Sequence, residues 1–403
     1  MPVQSAVLRH TALLYALLLL STATTVSADP ISRAVSLSNA SLVVEEGGKE
    51  VISANADRPM VPASTMKLVT ALAAIERWGL DHRFTTDFYR GRDGRLWVKG
   101  GGDPYLVSEE LDSAVAGLKR QGLRDVTGIG LDDTLFAASD KIPGRSSSDN
   151  PYDAPVTALA ANFNTVNVRV SGGSVSSAEP QTPITATAKR LAAGMGNGKQ
   201  RVNLKTRVNS LAYFGELLEA KLKAAGIAVK GGVEIAPLPA GAKRLYSHRN
   251  SRTLETVVTN MLEYSTNFVA NNLFLLLGEQ GGRSSMAASQ RVVESWAQRK
   301  FGWRNFTIED GAGLSRGNRI SGRQLIEVLD AMAPYRRLVP QQDNNANVRA
   351  KTGTLRGVSC YAGWVRRGSA WVPFSLLINQ PVDYGFRLQV ASALAGAPSL
   401  ARY

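Results

Sequence analysis

Residues 62–67 read Pro62-Ala63-Ser64-Thr65-Met66-Lys67, and the apolar residues after them recur at helical spacing as far as Trp78. Gly79 ends this pattern, so the sequence predicts a helix over 64–78 that begins at Ser64. Residues three apart on a helix share a face, which places the hydroxyl of Ser64 beside the amine of Lys67. A lysine whose pKa is lowered by burial or by a second cation can accept a serine proton, so the pair is a candidate nucleophile and base.

Two further stretches carry groups suited to substrate binding. Lys351-Thr352-Gly353-Thr354 follows a predicted strand, where the lysine offers a cation for a carboxylate, Thr352 a hydroxyl, and Gly353 a close backbone approach. Ser265-Thr266-Asn267 lies in a polar break between two predicted helices, where a hydroxyl and an amide can face a cleft. The alternatives are that the first stretch is a plain strand end and that Ser265 is only the N-cap of the next helix.

Three other patterns are assigned structural roles. Ser148-Asp149-Asn150 resembles the serine-x-asparagine stretch but lies in a Ser/Pro/Gly-rich loop, which favours a turn. Gly313-Leu314-Ser315-Arg316-Gly317 fits a nucleophile elbow, yet that arrangement needs a later histidine, and the last one is His248. Cys360, the single cysteine, is expected to be a packed core thiol. The sequence has no His/Cys cluster of metal-binding spacing, so neither a metal nor a cofactor is predicted.

The remaining pattern indicates an α+β protein with an insertion. Strand-like segments at 34–44 and 50–55 predict a hairpin near the start, and those at 347–351, 358–365 and 371–378 predict strands near the end. Helical periodicity is expected over 254–262 and 268–277. The region from about 83 to 250 differs, with short strands, an amphipathic stretch at 109–118 and loop-like stretches at 143–155 and 172–183. It is interpreted as an inserted accessory α/β region.

Composition indicates an exported globular protein. The chain has 403 residues, of which 44% are hydrophobic and 20% charged. Residues 1–28 match a secretory signal, with Arg9, an apolar run from Ala12 to Leu20 and a small-residue cleavage site ending at Ala28. The formal net charge of +14 favours polyanions. Export makes the anionic cell wall or a membrane surface the expected partner, and nucleic acid is not expected because basic runs interleaved with aromatic residues are missing.

The motifs, in their order, resemble those of the penicillin-recognising serine enzymes: Ser64-x-x-Lys67, Ser265-x-Asn267 and Lys351-Thr352-Gly353. Ser64 and Ser265 are 201 residues apart, and Ser265 and Lys351 are 86 apart. The long first gap is similar to that of the class C low-molecular-mass penicillin-binding proteins, the D-alanyl-D-alanine carboxypeptidase/endopeptidase family. Further sequence segments that resemble this family occur at 55–59, 102–104, 152–155 and 310–315.

This resemblance implies a β-lactamase/DD-peptidase-like catalytic domain, an antiparallel sheet with flanking helices, divided into residues 29–88 and 251–403 around an insert at 89–250. It implies that Ser64 attacks the penultimate D-alanine carbonyl, that Lys67 is its base and that Ser265 relays a proton to the leaving amine. Asn267 would hold the acyl-side amide. Lys351 and Thr352 would bind the terminal carboxylate, and the N–H groups of Ser64 and Thr354 would form the oxyanion hole.

The expected activity is cleavage of D-alanyl-D-alanine ends or D-alanyl crosslinks of peptidoglycan in the periplasm or cell envelope, with β-lactams as covalent inhibitors. The sequence departs from the family pattern in two places. Thr266 replaces a common aspartate, for which little effect is expected, and the insert is short around 172–203, which concerns substrate preference and wall targeting. The alternatives are a serine β-lactamase, which would turn over penicillin rapidly, and a catalytically weak penicillin-sensing or wall-binding module.

Overall fold

The computed structural model describes residues 29–139 and 141–403, so the predicted signal at 1–28 lies outside the described residues. Within them, the helices are α1 (Pro30–Ser36), α2 (Met66–Trp78), α3 (Ser108–Arg120), α4 (Ala186–Ala192), α5 (Arg207–Ala224), α6 (Leu254–Glu263), α7 (Asn267–Leu277), α8 (Met286–Phe301), α9 (Gly322–Met332) and α10 (Phe386–Gly396). None of the described helices has the length and apolar character needed to cross a membrane.

The strands form several sheets. In chain order they are β1 (Ala40–Glu46), β2 (Lys49–Ala54), β3 (Thr85–Arg90), β4 (Leu96–Lys99), β5 (Asp125–Val126), β6 (Ile129–Asp132), β7 (Thr165–Ser171), β8 (Ser174–Ser177), β9 (Gly198–Asn203), β10 (Ala228–Val229), β11 (Val233–Ile235), β12 (Lys243–Arg249), β13 (Gln341–Gln342), β14 (Asn345–Leu355), β15 (Val358–Arg367) and β16 (Ala370–Ile378). Short 3₁₀ turns lie at Ala63–Thr65, Pro151–Asp153, Asn162–Asn164 and Ala333–Leu338.

The largest sheet joins the two ends of the described chain. Its order is β13-β14-β15-β16-β1-β2, and all its pairings are antiparallel. The predicted hairpins β1–β2 and β15–β16 are both present, and β1 pairs with β16, with Ala40 opposite Ile378. The expected α+β class with an antiparallel sheet is therefore confirmed.

Helices cover both faces of this sheet, and the alternation of side chains along its strands divides the core accordingly. On one face α1 and α10 pack over Val348, Tyr361 and Phe374. On the other face α6, α7, α8 and α9 pack around α2 and form a larger apolar cluster that includes Cys360 and Trp364. Helix α2 lies at the centre of that cluster, with ten consecutive buried residues from Met66 to Ile75.

One expected strand was partly wrong. Residues 34–36 belong to helix α1, not to the strand predicted over 34–44. Asp29 accepts a hydrogen bond from the backbone N–H of Ser32 at 3.3 Å, and Pro30 occupies the first helical position. An acidic cap followed by proline is a helix-start signal, and it overrides the apolar alternation behind it.

The middle of the chain builds the smaller sheets. A five-stranded sheet has the order β11-β6-β4-β3-β12, with parallel pairings at β4–β6 and β6–β11, and a three-stranded sheet has the order β8-β7-β9. Since β3 spans Thr85–Arg90 and pairs with β4 and β12, the boundary expected between 88 and 89 cuts through a strand. The accessory sheet thus begins at Thr85. The loop expected over 172–183 contains β8, which forms a hairpin with β7 through Gly172-Gly173.

Part of this middle region packs against the helices that surround α2. Most of its apolar residues form a separate cluster around Leu131, Phe214 and Leu218. Phe136, Ala158 and Ala160 pack instead into the cluster that surrounds α2. The segment between β6 and β7 therefore lies beside α7 and brings Tyr152 next to Asn267.

Candidate active site

Ser64 lies in a strained turn at the start of α2. The 3₁₀ turn Ala63–Thr65 precedes the helix, and Ala63 has a left-handed φ of 47°, an uncommon conformation for a residue with a Cβ. The hydroxyl and N–H of Thr65 both donate to the carbonyl of Pro62, at 2.7 and 3.3 Å. The turn presents the half-buried Ser64 at the N-terminus of α2.

Lys67 is buried completely and its amine has three neighbours. Its Nζ lies 2.9 Å from Ser64 Oγ, 2.8 Å from Asn267 Oδ1 and 2.8 Å from the carbonyl oxygen of Ala312. A neutral amine has two N–H bonds and one lone pair. If the two carbonyl oxygens accept the two N–H bonds, the lone pair is directed at the Ser64 hydroxyl, which is the orientation a base requires.

The charge state of Lys67 is set by its surroundings. Burial, and secondly the positive charge of Lys351, hold the pKa of Lys67 well below its usual range, while Asp310 opposes this. Both main effects disfavour the ammonium form and so favour the neutral amine that a base requires. The sequence-level expectation of a lysine with a lowered pKa thus has a physical cause in this site.

Strand β14 runs directly past Ser64, and Gly353 makes this possible. A Cβ on Gly353 would lie 2.7 Å from the Pro62 carbonyl oxygen and 3.0 Å from Ser64 N. Gly353 pairs with Cys360 on β15, while β13 pairs only with the start of β14. The edge of β14 at 351–355 is therefore open beside Ser64, with Thr352 half-buried and Thr354 exposed.

Lys351 is the second buried lysine. It is 1% exposed, and its Nζ lies 3.5 Å from the hydroxyl of Thr352. Burial, and then the charge of Arg387, lower the pKa of Lys351 from 10.5 to about 8, while Glu263 acts in the opposite direction. A cation stripped of water beside an open strand edge is suited to binding a carboxylate.

The break between α6 and α7 supplies Ser265 and Asn267. Ser265 is half-buried with a left-handed φ of 53°, and Asn267 begins α7. The amide oxygen of Asn267 contacts Lys67, and its Nδ2 donates to the Tyr152 carbonyl at 3.3 Å. The N-cap position belongs to Thr266, whose side chain makes no capping bond, so the alternative that Ser265 is the N-cap is wrong.

The three patterns that were assigned structural roles from the sequence, at Ser148, Ser315 and Cys360, have such roles in the structure. Ser315 is 5% exposed, and its hydroxyl donates to Glu309 and accepts from the N–H of Gly317 at 3.0 Å. The hydroxyl of Ser148 donates to Asp153 ahead of the turn at Pro151–Asp153. Cys360 is fully buried, and burial raises the pKa of its thiol to about 12. As predicted, none of the three is placed as a nucleophile.

Sequence reasoning missed the groups that hold the site in place. Asp310 is fully buried and accepts from the N–H groups of Ala312, Leu314 and Ser315, at 3.0 to 3.1 Å. This fixes the loop whose Ala312 carbonyl contacts Lys67. Asn271 on α7 accepts from the N–H of the same Ala312 at 3.2 Å. The only sequence signal was the family-like wording at 310–315.

The remaining polar groups do not suggest a metal. His248 is buried with its Nε2 2.8 Å from Glu110, and His82 is half-buried against Trp78 and Phe84. In the described part of the chain, no three His, Cys, Asp or Glu side chains are grouped so as to hold a metal ion. The site thus consists of a hydroxyl, two buried amines, an amide and an open strand edge.

Comparison with known protein families identifies relatives of this chain. The profile of the D-Ala-D-Ala carboxypeptidase 3 (S13) family matches residues 33–200 and 192–338. The chain is 28% identical over 407 residues to the D-alanyl-D-alanine carboxypeptidase of Actinomadura sp. (strain R39), covering 82% of this chain and 76% of that protein. It is 26% identical over 375 residues to the D-alanyl-D-alanine carboxypeptidase DacB of Haemophilus influenzae, covering 76% and 77%.

Solved structures share the fold. The crystal structure of penicillin binding protein 4 (dacB) from Haemophilus influenzae superimposes with a TM-score of 0.74 at 23% identity, covering 91% of this chain and 97% of that one. The predatory peptidoglycan endopeptidase Bd3459 from Bdellovibrio bacteriovorus superimposes with a TM-score of 0.55 at 16% identity, covering 89% and 91%. The overall arrangement of sheet, helices and insert is therefore common to these proteins.

Proposed function

Because this chain belongs to the D-Ala-D-Ala carboxypeptidase 3 (S13) family, we propose that it is a serine DD-peptidase acting on D-alanyl-D-alanine ends or D-alanyl crosslinks of peptidoglycan. The observation that carries this proposal is the contact of Lys67 Nζ with Ser64 Oγ at 2.9 Å, with both other neighbours of the amine being carbonyl oxygens. This arrangement supplies a nucleophile and its base without a histidine or a metal.

In the proposed reaction, acylation comes first. Lys67 takes the proton from Ser64 Oγ, which attacks the carbonyl carbon of the penultimate D-alanine. The resulting oxyanion accepts from the N–H groups of Ser64 and Thr354. Ser265 passes a proton to the leaving amine, the C–N bond breaks, and D-alanine or a peptide amine departs. Lys351 and Thr352 bind the carboxylate of the leaving side, and Asn267 holds the acyl-side amide.

Hydrolysis of the acyl-enzyme completes the cycle. A water molecule gives up a proton to the neutral amine of Lys67 and attacks the ester carbonyl, the C–O bond to Ser64 breaks, and Ser64 Oγ leaves with that proton. A β-lactam resembles the D-alanyl-D-alanine end and acylates the same hydroxyl. Its opened ring stays attached to the acyl group, so no separate leaving group departs and release by water is slow.

The test is the product spectrum on purified muropeptides. Monomeric pentapeptides and crosslinked dimers would be digested separately with the whole protein, and the products identified by mass. Loss of one D-alanine from the monomer, or conversion of dimer to monomers, is the expected result. Rapid turnover of penicillin with neither peptide cleaved would support a β-lactamase, and absence of any reaction with β-lactams would support a binding module.

We further infer that the protein acts in the periplasm or cell envelope after loss of residues 1–28. The signal-like sequence and the positive net charge of +14 support this, since a basic surface is attracted to anionic wall polymers and membrane surfaces. The region from Thr85 to Arg249 is proposed as an accessory unit that shapes the cleft, since its Tyr152 carbonyl contacts Asn267.

A further inference from the structure

Arg387 is a buried cation on the far side of the sheet from α2. It lies in the first turn of α10 and is 6% exposed. Its Nη1 donates to the carbonyl oxygen of Gly353 at 2.9 Å and to Oγ1 of Thr354 at 2.7 Å. In the described chain no carboxylate forms an ion pair with this guanidinium, and the centroid of the Tyr384 ring lies 5.9 Å from its Cζ. A buried charge without a counter-ion costs free energy, which calls for a functional reason.

The two acceptors of Arg387 belong to one peptide unit and its side chain. The carbonyl of Gly353 and the N–H of Thr354 are the two ends of the same trans peptide, so they point in opposite directions. A guanidinium that binds the carbonyl end therefore helps to fix the direction of the N–H end, which points away from the guanidinium. A hydrogen bond to the carbonyl also polarises the peptide and makes its N–H a stronger donor.

We propose that Arg387 is a positioning residue for acylation, which orients and strengthens the Thr354 N–H as an oxyanion donor and adds positive potential where the substrate carboxylate binds. The proposal rests on the proposed function, in which Thr354 N–H receives the oxyanion. Arg387 touches neither substrate nor the reacting atoms in this scheme. It acts through the backbone of β14.

The positive charge of Arg387 also acts on Lys351. The charge of Arg387 is the second cause of the lowered pKa of Lys351, after burial. Two charged groups on different elements change the pKa of Lys351: Arg387 from α10 lowers it and Glu263 from α6 raises it. Removing Arg387 while keeping Glu263 is therefore expected to raise the pKa of Lys351, so the pH dependence of the enzyme reports on Arg387.

The experiment compares three variants of the whole protein. Arg387→Met keeps the length of the side chain and removes the charge, and Arg387→Lys keeps a cation. Arg33→Met is the matched control, because Arg33 lies on the same face of the sheet, 4.5 Å above the Phe386 ring, and pairs with Asp383 instead of β14. For each, the rate of covalent labelling by a fluorescent penicillin, kcat and KM for a D-alanyl-D-alanine peptide, and thermal unfolding would be measured.

We expect Arg387→Met to lower kcat and the labelling rate about tenfold to a hundredfold, less than complete loss of an oxyanion donor. Arg387→Lys should recover part of this, and Arg33→Met should stay within twofold of wild type. The alkaline limb of the kcat/KM profile should move to higher pH in Arg387→Met. Labelling within twofold of wild type, or an unshifted alkaline limb, would overturn the proposal.

A second pair of variants, at Thr354, separates the contact of Arg387 with the threonine hydroxyl from its contact with the Gly353 carbonyl. Thr354→Val removes the acceptor Oγ1 but leaves the Gly353 carbonyl, whereas Thr354→Ser retains the hydroxyl. If Arg387 acts mainly through the peptide, adding Arg387→Met should slow labelling by the same factor in the Thr354→Val and Thr354→Ser backgrounds, each compared with its own parent variant. Wild-type protein that reacts with no β-lactam would contradict the proposed function itself. Reactive wild type with an equally reactive, folded Arg387→Met would contradict only this inference.

Discussion

At the scale of single residues, the hydroxyl of Ser64 has no substitute. Ser148, Ser265 and Ser315 also lie in stretches that resemble catalytic motifs. Of these four serines, only Ser64 has its hydroxyl hydrogen-bonded to the buried amine of Lys67, at 2.9 Å. Ser64→Ala should therefore abolish covalent labelling by penicillin while leaving the protein folded. Intact-protein mass spectrometry would measure the adduct. Ser315→Ala is the control, and a labelled Ser64→Ala protein would refute the assignment of the nucleophile.

The two lysines predict a bell-shaped pH dependence. The base Lys67 must be neutral, and its pKa is lowered, so kcat/KM should rise with pH through that lowered pKa. Lys351 must be charged, and its pKa of about 8 means that binding of a carboxylate is lost as pH rises through about 8. Lys351→Arg keeps the charge at higher pH, so its alkaline limb should move upward. A profile flat from neutral pH to well above 8 would contradict the role of Lys351.

Lys351→Ala tests the same residue without titration. The variant loses the cation for the terminal carboxylate, which should weaken kcat/KM for substrates with a free C-terminal carboxylate by about tenfold or more. The same substrates with an amidated C-terminus provide the comparison, since they make no such ion pair. Equal losses on both substrates would mean that Lys351 acts in the chemistry and not in carboxylate binding.

Ser64, Lys67 and Asn267 could be predicted because their signals are local: a serine-lysine spacing on a helix and an asparagine in a break between helices. Arg387 could not. It is a single arginine in the first turn of a helix, 34 residues after Gly353, and nothing in its neighbourhood distinguishes it from a surface arginine. Its role depends on α10 lying across β14, which is a property of the assembled sheet.

At the scale of elements, the loop at 310–315 and the turn before α2 fit together through a glycine. Gly313 has a left-handed φ of 77°, and a Cβ there would lie 1.8 Å from the Ala63 carbonyl oxygen. Gly313→Ala should cost about 3 kcal/mol or more, from backbone strain and overpacking together, and should slow labelling because Ala63 precedes Ser64.

The matched control is Gly302, which has a similar φ of 72° at the end of α8 and no atom within 4 Å of a Cβ. Gly302→Ala should cost about 1–2 kcal/mol, the strain alone, with no effect on labelling. Urea unfolding would measure both variants. Equal free energies of unfolding for the two would show that contact with Ala63 is unimportant.

Helices and strands with strong local sequence patterns were predictable, but the pairing of distant strands in the sheet was not. The apolar runs of β15 and β16 and the helices on either side of residues 264–266 follow directly from periodicity. Helix α1 was missed because its Asp29-Pro30 start follows directly after the signal-like residues. Pairing of β1 with β16 depends on contacts more than 300 residues apart in sequence, which no local pattern reports.

At the scale of the whole molecule, the net charge leads to a prediction about where the protein binds. A net charge of +14 on 403 residues predicts retention on anionic polymers, and screening should weaken it. Sedimentation with purified cell walls should fall steeply between about 50 and 500 mM salt, while cleavage of a small soluble peptide changes little. Sedimentation that is unaffected by salt would indicate that binding depends on a specific site and not on overall charge.

The pairing of β1 with β16 also has a consequence for biosynthesis. Ribosomes make Ser64 early and Lys351 late, and the sheet that supports both is closed only by residues 370–378. A nascent or prematurely truncated polypeptide thus carries the serine without the lysine strand beside it. Wall-cutting ability is acquired only after β14 and β16 have been synthesised, and proteolytic removal of these strands should leave an inert product.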